Sequence, residues 1–159
     1  MTKNRIIICG GGGSGKDHLK QRFINKGFKP SISYTTRPPR EDEINGKDYI
    51  FLDVNKFKEM IEDGKFYEYK LFNNWYYGTI HEEFNTSDIF IMTPPAIELL
   101  SKEIRETSMI VYIDIDESIR AKRLANRNDA DSVKRRILAD REMFEFFTDY
   151  DIIIRDPNF

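Results

Sequence analysis

A chain of 159 residues, 40% hydrophobic and 33% charged, has the size of one domain with room for a small inserted lobe, and its twelve Phe and eight Tyr exclude a disordered polymer. Twenty-five Lys and Arg against 27 Asp and Glu leave a formal charge of −2, which argues against a dedicated nucleic-acid or membrane-surface binder. The single cysteine, Cys9, excludes an intrachain disulfide and a thiolate metal cluster, and no apolar run approaches the ~20 residues of a membrane span.

Residues 5–9 read as a buried strand, too short an apolar run for a signal peptide, so a soluble cytoplasmic protein is expected. A glycine loop spans 10–15, and a helix is expected over 17–26, ended at Gly27. Residues 28–34 look extended, Pro38, Pro39 and the charged stretch to Asp48 must form a loop, and 49–52 is a short strand. Asp53 is placed to cap a helix carrying Phe57, Met60 and Ile61 on one face, with Gly64 as its stop. Strands at 66–71 and 75–77 flank a turn at Asn73–Asn74. Buried strands follow at 89–92, 109–113 and 152–154, alternating with helices at 95–104, 118–126 and 131–147. The pattern is α/β, with four core strands and an antiparallel-looking insert over roughly 35–80.

Gly10-Gly11-Gly12-Gly13-Ser14-Gly15-Lys16 fits the phosphate-binding pattern G-x-x-x-x-G-K and lies between a strand and a helix, as that pattern requires. Glycines let backbone N–H groups turn inward as an anion nest, and the following helix points its positive end at the phosphates. Lys16 can reach the terminal phosphates. Asp17 stands where a hydroxyl residue usually helps hold Mg²⁺, and its carboxylate either serves that cation or caps the helix.

The stretch from Ser33 to Phe51, with Thr35-Thr36-Arg37, Arg40, Gly46 and Tyr49 at fixed offsets, resembles the signature of guanylate kinases. Phe66-Tyr67-Glu68 is similar to that family's Phe-x-Glu segment, and Tyr76-Tyr77-Gly78-Thr79 to its Tyr-Tyr-Gly-Ser/Thr. Arg123, Arg127 and Arg136 resemble its lid arginines. The resemblance covers nearly the whole chain. It implies an α/β, P-loop NTPase three-layer fold with a parallel core sheet, a small monophosphate-binding insert and a helical lid. The implied organisation is one domain over 1–159, with the core at 1–34 and 81–159, the insert at 35–80 and the lid at about 123–136.

The same resemblance implies ATP as phosphate donor, Mg²⁺ as cofactor and GMP or dGMP as acceptor. Gly10, Gly12, Gly13, Ser14, Gly15, Lys16 and Asp17 would bind the ATP phosphates. Arg37, Arg40, Tyr49 and Tyr77 would hold the acceptor phosphate, and Ser33, Glu68 and Thr79 would read its guanine. Lys16, Arg37, Arg40, Arg123, Arg127 and Arg136 are the implied catalytic cations. Elementary chemistry points the same way. A phosphate monoester has a second pKa near ~6, so the acceptor is largely dianionic at neutral pH and needs no strong base. The difficulty is bringing two anions together, and cations supplied by separate segments answer it. One carboxylate can accept from the adjacent N1–H and N2–H₂ donors of guanine, a pair adenine lacks.

The match breaks in three places. The family's Asp-x-Asp is absent from the strand at 89–92, where Thr93 stands at or beside one of its positions. Asp17, with Asp114 as a weaker second, is the expected replacement as Mg²⁺ ligand, whereas Asp116 is expected to cap a helix. The Gly15-Lys16-Asp17 ending also resembles deoxynucleoside-monophosphate kinases of phage type, which leaves another (deoxy)nucleoside monophosphate open as acceptor. A catalytically inactive, guanylate-kinase-like protein-binding module is the other alternative, although such modules typically lose the glycine loop kept here. The chain stops at Asn158–Phe159, where the family continues into a helix, so a monomer or homodimer is expected, with no nucleic-acid or membrane partner. Arg120, Lys122, Lys134 and Arg135 read as a solvated helix face, and His18 and His81 as no metal ligands.

Overall fold

Strands buried on both faces read as continuous Ile, Val and Phe, and such strands pair in parallel. In the computed structural model, which describes residues 2–127 and 132–159, β1 (Arg5–Gly10) lies between β6 (Ile89–Ile91) and β7 (Ser108–Ile113). Beyond β7 lies β8 (Ile152–Ile154). All three pairings are parallel, with Arg5–Gly10 facing Ser108–Ile113 residue for residue and Ile6 facing Ile89. Ile7, Ile8, Ile89 and Ile110 are wholly buried. The second and third core strands flank the first, which runs on into the glycine loop.

After that loop comes α1 (Lys16–Ile24), and α4 (Pro94–Glu98), α5 (Lys102–Glu106), α6 (Glu117–Ala125) and α7 (Val133–Phe144) lie among the later core strands. The single helix expected over 95–104 is two. Leu99 ends α4, and Ser101 restarts the chain by accepting the N–H of Ile104. Asp116 caps α6, accepting the N–H of Ser118 at 2.9 Å. Among the described residues no helix is long and apolar enough to cross a membrane.

The chain divides into two compact units, Met1–Pro30 with Asp88–Phe159, and Ser31–Ser87. The smaller holds β2 (Tyr34–Thr35), β3 (Ile50–Phe51), β4 (Phe66–Phe72) and β5 (Trp75–Ile80) in the order β3-β2-β5-β4, with α2 (Val54–Glu62) and α3 (His81–Thr86). It extends beyond 35–80 because Tyr34 pairs with Gly78 and Phe84 of α3 stacks on Tyr67, ring centres 4.0 Å apart. Its sheet is mixed rather than antiparallel throughout, since β2 and β3 run parallel.

Within this unit Asp53 caps α2, accepting the N–H of Lys56, and the fully buried Phe57 stacks against both Phe66 and Tyr76. Asn73 and Asn74 have φ of 52° and 65°, the left-handed pair that a two-residue hairpin turn needs, and Phe72 sits opposite Trp75. The register holds as far as Glu68 opposite Thr79, then shifts at Tyr67 so that Phe66 faces Ile80. This bulge sends two residues of one strand to opposite faces although they are two apart. Phe66 stacks on Phe57 with ring centres 4.4 Å apart, while Glu68 joins the face that carries Thr79 and Tyr77.

Candidate functional site

The glycine loop turns the chain sharply from β1 into α1. Gly13 and Gly15 have φ of 76° and 99°, a backbone shape that strains any L side chain. Lys16 folds back across the loop, its Nζ donating to the carbonyls of Gly10 at 2.7 Å and Gly11 at 3.1 Å. Arg123 donates from Nη1 to the Gly13 carbonyl at 3.0 Å and from Nη2 to that of Pro157 at 2.9 Å. Loop carbonyls thus turn toward cations. Among the described residues, the N–H groups of Gly13, Gly15, Lys16 and Asp17 meet no acceptor in the chain. These are the donors at a helix start to which anions bind. Ser14 is buried in the loop, its Oγ without a partner among the described residues. Burial of the Lys16 ammonium pulls its pKa down to about 8, with Asp140 and Asp17 acting against that shift.

More cations converge on the loop. A Cβ placed on Gly12 would stand 3.0 Å from Arg136 Nη2, and Arg136 and Arg127 both press electrostatically on Lys16. Residues 128–131 of the expected lid at 123–136 lie outside the described residues. Arg120 departs from expectation. It shares a helix face with the buried Leu124, is itself buried, donates from Nε to the Ile115 carbonyl at 3.0 Å, and pairs with Asp140 at 3.2 Å.

A second cluster lies in the smaller unit. Thr35 and Thr36 pin the loop to β5, the first hydroxyl donating to the Tyr76 carbonyl and the second accepting the Tyr76 N–H, both at 2.9 Å. Arg37 is only 4% exposed and makes two parallel bonds to Glu43, each 2.9 Å long. Its guanidinium carbon is 5.3 Å from the centre of the Tyr49 ring, and Tyr49 meets Tyr77 edge-on at 6.4 Å. Glu43 also accepts the N–H of Arg40 at 2.7 Å and lies 3.9 Å from its Nη1. Burial alone would raise the Glu43 carboxyl, but the bonds from Arg37 and Arg40 outweigh it and hold the group below the usual carboxylate range. Sequence reasoning missed Glu43. The signal available was an acid six residues after Arg37 and three after Arg40, within the signature itself.

Glu68 accepts the Thr79 hydroxyl at 2.9 Å. Burial pushes its carboxyl above the ordinary value, against the Thr79 bond and Lys70. Ser33 stands just before β2, its carbonyl taking the N–H of Ile50 at 2.9 Å. The structure therefore joins Arg37 and Arg40 through Glu43, sets Tyr49 beside Arg37 and Tyr77 beside Tyr49, and places Glu68 with Thr79 on one hairpin.

The remaining acids behave differently from one another. Asp17 is 80% exposed and pairs with Lys20 at 3.6 Å; α1 starts from Gly15 with no side-chain cap, so Asp17 does not cap it. Asp114 accepts from the Tyr112 hydroxyl at 3.3 Å and from Arg155 Nε at 3.2 Å. Thr93, at the end of β6, has its Oγ1 buried without a partner among the described residues. Cys9 is buried, which pushes its thiol up to about 12 and leaves it unreactive.

The sequence profile of the family described as Guanylate kinase matches residues 2–159. The chain is 32% identical over 172 residues to the guanylate kinase of Wigglesworthia glossinidia brevipalpis, a match covering 100% of this chain and 83% of that protein. It is 31% identical over 173 residues to the guanylate kinase of Buchnera aphidicola subsp. Baizongia pistaciae, with 100% and 83% covered. Over a shorter span of 98 residues it is 42% identical to the guanylate kinase of Mesomycoplasma hyopneumoniae (strain 7448), covering 60% of this chain and 48% of that protein. Its fold is similar to the crystal structure of guanylate kinase from Anaplasma phagocytophilum, with a TM-score of 0.74 and 17% identity across 99% of this chain and 79% of that one. With a profile matched from end to end and relatives above 30% identity over the same span, the chain belongs to the guanylate kinase family.

Proposed function

We propose that the chain transfers the γ-phosphate of ATP to GMP or dGMP, giving ADP and the nucleoside diphosphate. The glycine loop carries this reading: its carbonyls are held by Lys16 and Arg123, with N–H groups left for an anion at the start of α1. Family membership supports the acceptor. Its retained loop and lysine also disfavour the protein-binding module.

Gly10, Gly13, Ser14, Gly15 and Lys16 would bind the ATP phosphates, the Gly12 N–H being held by Asp140 instead, with Arg123, Arg127 and Arg136 spreading positive charge over the transferred group. Arg37 and Arg40, held side by side by Glu43, would receive the acceptor phosphate together with Tyr49 and Tyr77. Because that phosphate is already dianionic, no residue has to remove a proton. Glu68, with Ser33 and Thr79, would meet the guanine edge. A competing base would leave the half-buried carboxylate with the Thr79 hydroxyl but without the paired guanine donors, which is the stronger form of rejection.

Mg²⁺ prefers oxygen ligands, keeps several waters, and is usually held by one or two carboxylates plus substrate phosphates. The exposed Asp17 carboxylate at the start of α1 fits that donor set, whereas Asp114 is engaged by Tyr112 and Arg155. When bound, the cation would neutralise phosphate charge that the arginines do not reach. A cytoplasmic location is the reading these proposed substrates support.

An ADP-release assay with ATP and each common nucleoside and deoxynucleoside monophosphate tests the proposal. GMP or dGMP should be the preferred acceptor. Preference for another monophosphate would move the reading within its class, and no turnover with any acceptor while ATP still binds would overturn it.

A further inference from the structure

Four consecutive glycines make a loop that loses much backbone freedom on ordering. In this chain the second half of that run is gripped from outside. Asp140 of α7 accepts the Gly12 N–H on Oδ2 at 2.8 Å. Arg120 of α6 reaches the Gly12 carbonyl from Nη1 at 3.4 Å, pairs with the same Asp140 oxygen at 3.2 Å, and is itself fixed through Nε by the Ile115 carbonyl. One peptide unit on each side of Gly12 is thereby tied to an ion pair whose side chains are only 9% and 14% exposed. A Cβ on Gly11 would collide with Arg120 Nη1, so the glycine there makes room for the guanidinium.

We propose that Arg120 and Asp140 are positioning residues that brace the glycine loop in its nucleotide-binding shape before ATP arrives. A buried ion pair is a poor device for stability alone, because well-packed apolar residues of similar volume serve as well or better. Its distinctive product is a fixed loop. A loop ordered in advance spares the nucleotide the entropy of ordering it, and the gain appears as donor affinity. The inference rests on the ATP-binding reading of the loop, and it concerns neither the acceptor nor the phosphoryl transfer step.

The test measures ATP affinity by calorimetry and the KM for ATP and for GMP, on the full chain. Asp140→Ala should weaken ATP binding about tenfold and raise the ATP KM equally, while the GMP KM stays within about twofold. Asp140→Asn keeps an oxygen for the Gly12 N–H and should fall between. Gly11→Ala should weaken ATP binding as Asp140→Ala does, yet cost clearly less once Arg120 is Met, since the guanidinium is gone and only the Asp140 carboxylate, 3.1 Å from the new Cβ, has to give. Unchanged ATP affinity in a folded Asp140→Ala protein, or equal losses for ATP and GMP, would overturn the brace. Should Asp140→Ala not fold, the Asn variant and the Gly11/Arg120 cycle decide. ATP binding without turnover of GMP in the unsubstituted chain would refute the proposed reaction, and the brace would still be judged on affinity.

Discussion

Replacing Glu43 tests the electrostatic reasoning behind the acceptor cluster. Its carboxylate takes two bonds of 2.9 Å from Arg37 and one of 2.7 Å from the Arg40 N–H, with 11% of its side chain exposed against 4% for Arg37. Glu43→Ala leaves a buried guanidinium without its counter-charge, a change that costs about 3–5 kcal/mol in comparable buried pairs. Glu43→Gln keeps one acceptor and the shape, and should cost about 1–3 kcal/mol. Urea unfolding at neutral pH reads the loss, and Trp75, the one tryptophan, reports from the hairpin of the same unit. The acid limb supplies a sign. Because the Glu43 carboxyl is held below the usual range, its stabilisation is present above the unfolded value of about 4.3 and fades as pH falls through the folded one. The gap between the parent chain and Glu43→Gln should therefore narrow in acid. A Glu43→Ala protein within about 1 kcal/mol of the parent, or a gap that widens toward low pH, would refute the reasoning.

Three further outcomes are expected. Lys16 is charged below a pKa of about 8, so kcat/KM for ATP should decline as pH rises through that value; a flat profile into strongly alkaline buffer contradicts the role given to its charge. Glu68→Gln places an amide donor against guanine donors and should lower kcat/KM for GMP about 10- to 100-fold with little change in ATP affinity, and an unaltered GMP preference would remove Glu68 from base reading. Asp17→Ala should shift the Mg²⁺ dependence of turnover toward higher concentration, whereas Asp114→Ala should not; titrations of both that superimpose on the parent would eliminate the idea that Asp17 replaces the missing acid.

Local signals carried most of the framework. The run from Arg5 to Cys9, the glycines and the start of α1 form one contiguous pattern, and the core strands at 89–91, 108–113 and 152–154 appear as apolar runs of the right length. Residues whose meaning depends on distant partners were harder to read. Arg120 sits in a helix rich in Lys and Arg, and only its four-residue spacing from Leu124 hints at a buried face. Its partner Asp140 is twenty residues away on another helix, beyond any local pattern. Glu43 follows two other acids, so a charge compensator for a buried arginine looks like one more solvated carboxylate. The split at Leu99–Ser101 was hidden because Ile97, Leu100 and Ile104 keep helical spacing across it. The bulge at Tyr67 defeats strict alternation, which would have put Phe66 and Glu68 on one face.

The Asn73–Asn74 turn works as the zero mark of a ruler along β4. Surface hairpin tips ordinarily tolerate changes of length, but here each residue between the turn and Glu68 counts as one half-pleat. One residue more or fewer along 69–72 would swing the carboxylate to the face where Tyr76 stacks on Phe57, among aromatic rings, unless a second irregularity absorbed the slip. Selectivity for the base should thus diversify through exchange of side chains at 68 and 79, while the spacing that aims them stays fixed.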